Sequence, residues 1–125
     1  MSGKRVLVVD DSASVRQQVG LALKQAGYEV VDGVDGMDGA EKLRKDATIG
    51  IVICDINMPR LNGLDMIEQV KSDSRFAKLP IVMLTSEDSP TLMERAKKAG
   101  AKGWIIKPFR ADLLIATVKK LMAAA

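Results

Sequence analysis

The chain has 125 residues, 47% of them apolar and 28% charged, with a formal net charge of +3; this profile fits a globular fold and excludes disordered and fibrous classes. It contains no histidine, which removes His-based nucleophile triads, imidazole metal ligands and imidazole pH switches. Any chemistry must use carboxylates, hydroxyls, lysine or a metal.

This length suits one domain, 1–125, able to bury roughly two-thirds of its unfolded surface without a disulfide or structural metal. Lys4 and Arg5 precede the apolar run 6–9, which is too short for a signal peptide or a membrane span, so a cytoplasmic location is expected. That run reads as the first strand and ends on Asp10-Asp11-Ser12. Val15, Val19, Ala22 and Ala26 follow at helical spacing, with Gly27 as the stop. A second strand is read at 29–32, then Ala40, Leu43 and Ala47 at helical spacing. The third strand, 50–54, ends on Asp55, and its lone Cys54 reads as a small buried hydrophobe. Leu64, Ile67 and Val70 mark the third helix. The fourth strand, 81–84, ends on Thr85-Ser86, and Ser89-Pro90 sets a capping hydroxyl before a proline at the first helical position. Leu92, Ala96 and Ala99 carry that helix to Gly100. The last strand, 103–106, ends on Lys107-Pro108, and Leu114, Val118 and Leu121 mark a fifth helix.

Strict βα alternation with right-handed crossovers predicts an α/β fold: a five-stranded parallel sheet with helices on both faces, flavodoxin-like (βα)5. The strand order 2-1-3-4-5 is borrowed from that fold class, where ligands bind beyond the carboxyl ends of the strands. In that order the first and third strands are neighbours, which brings Asp10, Asp11 and Asp55 together. Three crowded carboxylates raise one another's pKa unless a cation is shared, and Mg²⁺ suits a site with few protein ligands that keeps waters and accepts phosphate oxygens. A carboxylate attacking phosphorus gives an acyl phosphate. The transferring group then needs an ammonium and a hydroxyl donor, which Lys107 and Thr85 supply.

Val8-Val9-Asp10-Asp11-Ser12, Asp55-Ile56-Asn57-Met58-Pro59 with Gly63, Thr85-Ser86 and Lys107-Pro108-Phe109, in this order and at these separations, resemble the response-regulator receiver family, and its single-domain chemotaxis members most closely. The resemblance covers essentially the whole chain. It implies that Asp55 accepts phosphoryl from a histidine kinase's phosphohistidine. It further implies that Asp10, Asp11 and Asp55 hold Mg²⁺ with the Asn57 backbone carbonyl, and that Thr85 and Lys107 bind the phosphoryl oxygens across a cis Lys107-Pro108 bond. Thr85 and Trp104 would form the switch, with Trp104 standing where tyrosine is commoner. Asn57 and Glu87 would flank the path of the hydrolytic water. Such a protein catalyses its own phosphorylation and dephosphorylation, yet is a signalling switch rather than a metabolic enzyme.

From Thr91 onward eight basic residues face two acidic ones, so this third carries +6 and the remainder −3. The basic share covers the fourth helix, fifth strand and fifth helix, the family's output surface, and suits an acidic or amphipathic target peptide. No recognition helix or aromatic stacking platform points to nucleic acid. Expected partners are the histidine kinase, a target such as the flagellar motor switch, and a phosphatase, with the chain acting as a monomer away from nucleic acid and membrane. A phosphate sink or shuttle without motor output is the alternative. A flavodoxin-type carrier would want a hydroxyl- and glycine-rich phosphate loop where Asp10 and Asp11 stand, and a dehalogenase-type phosphatase would want an aspartate where Asn57 stands. A receiver that docks without phosphorylation would have no use for the complete acidic, hydroxyl and lysine set.

Overall fold

Residues 5–124 are described by the computed structural model, so the reading that rests on Lys4 lies outside the described residues. Strands β1 (Arg5–Val9), β2 (Glu29–Gly33), β3 (Ile49–Cys54), β4 (Ile81–Thr85) and β5 (Gly103–Ile106) alternate with helices α1 (Ala13–Gln25), α2 (Gly36–Lys45), α3 (Gly63–Lys71), α4 (Pro90–Ala99) and α5 (Ala111–Ala124). The strands form one parallel sheet in the order β2-β1-β3-β4-β5. The flavodoxin-like α/β fold expected from the alternation is the one observed.

Branched apolar residues at successive positions bury the central strands on both faces, and the period of two sends neighbouring side chains to opposite sides. Leu7, Val9, Val52, Cys54, Ile81 and Met83 pack under α2, α3 and α4 with Leu43, Leu64, Ile67, Val70 and Ala96. Val6, Val8, Ile51, Ile53, Val82 and Leu84 face the other way, against Val19 and Leu23 of α1 and Leu114 and Val118 of α5. Each fully buried branched side chain contributes about 1.5–3 kcal/mol over leaving it in water.

Side-chain oxygens of Ser12, Asp35, Asn62 and Ser89 accept from backbone N–H groups in the first turns of α1, α2, α3 and α4, a device worth about 1 kcal/mol per helix. Pro90 opens α4 as expected, and Gly27 and Gly100 have positive φ after α1 and α4. Four strand ends differ by one residue from the apolar runs, because ladder pairing carries β1 and β3 back to Arg5 and Ile49 and extends β2 and β4 to Gly33 and Thr85. Two helical assignments are corrected. Ala26 is the cap of α1 rather than part of it, and Leu23, not the half-buried Ala22, completes the buried face. Ala47 lies exposed in a turn beyond α2, since Asp46 accepts from Thr48 N–H and pairs with Arg5, stopping the helix at Lys45. A short 3-10 helix at Ser74–Phe76 has no counterpart in the sequence pattern.

Candidate functional site

Register decides what meets at the carboxyl edge of the sheet. Val9 lies beside Gly33 on one side and Cys54 on the other, so Asp10 and Asp55 leave adjacent strands together. The Asp55 N–H donates to the Val9 carbonyl and the Asp10 N–H to that of Gly33, both at 3.0 Å. Thr85 lies beside Ile106, and the Lys107 N–H donates to the Thr85 carbonyl at 2.9 Å. The Lys107-Pro108 bond is cis. Behind Asp55, α3 begins so close that a Cβ on Gly63 would stand 1.9 Å from the Asp55 carbonyl oxygen; glycine is required there.

Asp10 and Asp55 are only 2% and 7% exposed and Thr85 is fully buried, whereas Asp11 is open to solvent. Buried carboxylates need a compensating charge, and Lys107 provides it. Its Nζ donates to Asp10 Oδ2 at 2.8 Å and to Asp55 Oδ2 at 3.1 Å. The second oxygens are also occupied: Asp10 Oδ1 accepts from Ser12 N–H at 2.9 Å and Asp55 Oδ1 from Ile56 N–H at 2.7 Å. Burial works against the Lys107 charge, but hydrogen bonds to Asp10 and Asp55, reinforced by their negative charge, outweigh it and hold its pKa above the ordinary lysine value. Lys107 is therefore a fixed ammonium at neutral pH. Burial, aided by the charges of Asp55 and Asp10, pushes the Cys54 thiol far up, which makes it inert beside the acceptor.

Glu87 ties the edge of the site to its centre through three hydrogen bonds. Its backbone N–H donates to Thr85 Oγ1 at 3.2 Å, its Oε1 accepts from Asn57 Nδ2 at 3.0 Å, and its carbonyl accepts from Trp104 Nε1 at 3.1 Å. Trp104 is half-buried and also packs against the apolar core. The indole thus combines partial packing on the core with a single hydrogen bond.

All the residues singled out in the sequence come to this rim: Asp10, Asp11, Asp55, Asn57, Thr85, Glu87 and Lys107, with Trp104 at its edge. Two supports were missed. Arg16 donates through Nη1 to the Asp10 carbonyl while facing Asp32 at 3.4 Å. Arg60, in the loop after β3, pairs with Asp35. No spacing signals the first, since Asp10 precedes α1 and accepts through its backbone carbonyl; nothing local signals the second.

Asp10, Asp11 and Asp55 each offer one carboxylate oxygen, and these atoms lie within 4.8 Å of one another. Opposite ligands of an octahedral Mg²⁺ stand about 4 Å apart, so small side-chain adjustments bring the three oxygens to it. An all-oxygen donor set with exposed Asp11 leaving room for waters fits that ion's preferences.

Residues 6–119 match the family model described as "Response regulator receiver domain". The chain is 41% identical to the chemotaxis protein CheY1 of Helicobacter pylori (strain ATCC 700392 / 26695), over 88% of this chain and 90% of that one. It is 32% identical to a CheY homolog of Campylobacter jejuni, over 88% and 85% of the two chains. Among solved structures, Vibrio cholerae chemotaxis protein CheY4 superposes with a TM-score of 0.89 at 38% identity, covering 96% of this chain and 99% of that one. The chain belongs to the response regulator receiver family. Within that family it is CheY-like, as the resemblance of its motifs implied.

Proposed function

We propose that the chain is the phospho-acceptor of a two-component chemotaxis pathway, working as a monomeric, single-domain cytoplasmic receiver. Asp55 attacks the phosphohistidine of a histidine kinase: a carboxylate oxygen forms the new O–P bond as the P–N bond breaks, and the imidazole leaves to be protonated. The observation that supports this most is the ammonium of Lys107 held between Asp10 and Asp55 at 2.8 and 3.1 Å, poised to meet an equatorial phosphoryl oxygen. Thr85 contributes the hydroxyl donor. Asp10, Asp11, Asp55 and the Asn57 carbonyl would hold Mg²⁺, which would supply positive charge against the phosphoryl oxygens. Asn57 and Glu87 stand where water approaches the acyl phosphate, and a phosphatase partner would act on that step. A cleft lined by Val15, Gln18, Pro108, Phe109 and Ala111 opens beside Lys107, and offers the kinase an apolar seat next to the acceptor.

Output leaves through α4, β5 and α5. Met93, Ile106 and Leu113 are exposed there, and a cavity of 660 Å³ lined by Met93, Lys97, Ala101, Lys102 and Trp104 separates α4 from β5. Exposed apolar groups ringed by lysines suit an amphipathic acidic peptide, such as a segment of the flagellar motor switch. A phosphate sink or shuttle would use the same acceptor but has no need of this surface. No helix among the described residues is long and apolar enough to cross a membrane. The test is phosphoryl uptake with Mg²⁺ from a kinase or acetyl phosphate: the wild type should label and D55N should not, while full labelling of D55N refutes the assignment. Pull-down with the motor switch protein by the beryllofluoride-bound form alone supports motor control; equal or absent capture in both forms supports the sink.

A further inference from the structure

We propose that Arg60 is a positioning residue for the phosphoryl site, acting through an ion pair with Asp35 that fixes the loop carrying Asp55 and Asn57; this rests on the reading of Asp55 as acceptor. That loop, residues 55–62, runs from β3 to α3 and is bracketed on both sides. Toward β4, Asn57 Nδ2 donates to Glu87. Toward β2, Arg60 Nε and Nη2 grip the two oxygens of Asp35 at 2.6 and 3.1 Å.

The backbone at this second anchor shows how much it is held. Arg60 has φ of +64°, in the left-handed region that a non-glycine residue avoids, and Leu61 N–H donates back to the Pro59 carbonyl at 2.7 Å. A positive φ inside an i to i+2 bond is the rarer, strained form of γ-turn. Strain of this kind persists only where the surroundings enforce it. Here they do: Gly36 N–H donates to the Leu61 carbonyl at 3.0 Å, and a Cβ on Gly36 would stand 2.2 Å from that oxygen. The start of α2 and the turn at Arg60 are therefore pressed together backbone to backbone.

Asp35 is well placed to be the fixed partner. Its side chain is 6% exposed and caps α2 by accepting from Asp38 N–H at 2.9 Å. Arg60, by contrast, is an exposed side chain, and glycine would adopt its backbone conformation without penalty. A strained arginine at this position makes sense if the guanidinium is what is needed. Bidentate geometry supplies direction as well as charge, so it sets the azimuth of a loop whose other end bears the acceptor and the Asn57 carbonyl.

Four variants separate this role from ordinary structural support. R60G relieves the backbone strain but removes the fork, so its thermal unfolding midpoint should equal or exceed that of the wild type while Mg²⁺ affinity by calorimetry falls about fivefold, a coupling typical of contacting residues. R60K keeps the charge and loses the fork, and should fall between. D35N still caps α2 and should match R60G in Mg²⁺ affinity, and the R60G/D35N double variant should lose no more affinity than either single one. In metal-free protein, amide exchange of Asn57 and Met58 should accelerate in R60G. Unchanged affinity and unchanged exchange in R60G would overturn the proposal. If wild-type protein bound no Mg²⁺, the acceptor reading would fail instead, and the metal-free exchange experiment would still decide whether the pair holds the loop.

Discussion

The centre of the sheet's carboxyl edge and the β5 margin are built on opposite terms. At the centre, Asp10, Asp55 and Thr85 are buried, and Lys107, Ser12 and Ile56 occupy the acidic oxygens. At the margin, Trp104 rests on one hydrogen bond and part of its surface, with Met93 and Ile106 open nearby. A buried, satisfied polar cluster can be polarised by an incoming charge but barely moves. A half-buried indole held by a single bond can move at small cost. The proposed chemistry and its proposed readout would thus fall in a stiff region and a looser one, joined by Glu87.

Five experiments bear on this division, taken from the largest effect downward. Lys107→Met removes the central ammonium and should slow phosphoryl uptake from acetyl phosphate by about 100- to 1000-fold, the scale for losing a transition-state donor. It should also leave Asp10 and Asp55 repelling each other, so Mg²⁺ should raise the melting temperature of the variant more than that of the wild type. Asp11→Ala should weaken Mg²⁺ binding by about tenfold or more in calorimetry, at least the effect of losing an outer partner, with little change in stability because the side chain is exposed.

At the margin the effects shrink. Trp104→Phe removes the bond to the Glu87 carbonyl and should cost only about 1 kcal/mol in urea unfolding. In the wild type, beryllofluoride with Mg²⁺ should change the fluorescence of this one tryptophan, and a flat signal would make the margin as stiff as the centre. The smallest effect concerns acid. The Arg60 guanidinium, opposed by burial and helped by the N–H groups of Asp38 and Met37, holds the Asp35 carboxyl below its usual value. A depressed folded pKa adds stability that is complete above the ordinary value of 3.8 and fades as pH falls through the lower folded one. D35N should therefore flatten the acid limb of stability against pH below that value, leaving neutral and alkaline stability nearly parallel to the wild type.

The centre was legible in the sequence and the supports around it were not. Asp10, Asp55, Thr85 and Lys107 each follow a branched apolar run, and a parallel sheet aligns the ends of such runs whatever the side chains of the loops do. Strand ends shifted by one residue did not matter, since Val9 and Cys54 remained level. Ala47 was misplaced because helical spacing carries no information about Asp46, whose pairing with Arg5 is made 41 residues away. The Asp35–Arg60 pair was hidden for a similar reason: it spans 25 residues and needs a positive φ at an arginine, which propensity argues against. Glu87 was singled out as a neighbour of the hydrolytic path, but its grip on Trp104 uses a backbone carbonyl, an atom every residue has.

Whether Asp55 takes up phosphoryl can be read at the atom itself. Protein treated with acetyl phosphate and Mg²⁺, trapped by borohydride reduction and mapped by mass spectrometry, should carry its one labile modification on Asp55 and lose it when the metal is chelated beforehand. A modification on any other carboxylate, or none with Mg²⁺ bound, would contradict Asp55 as the acceptor.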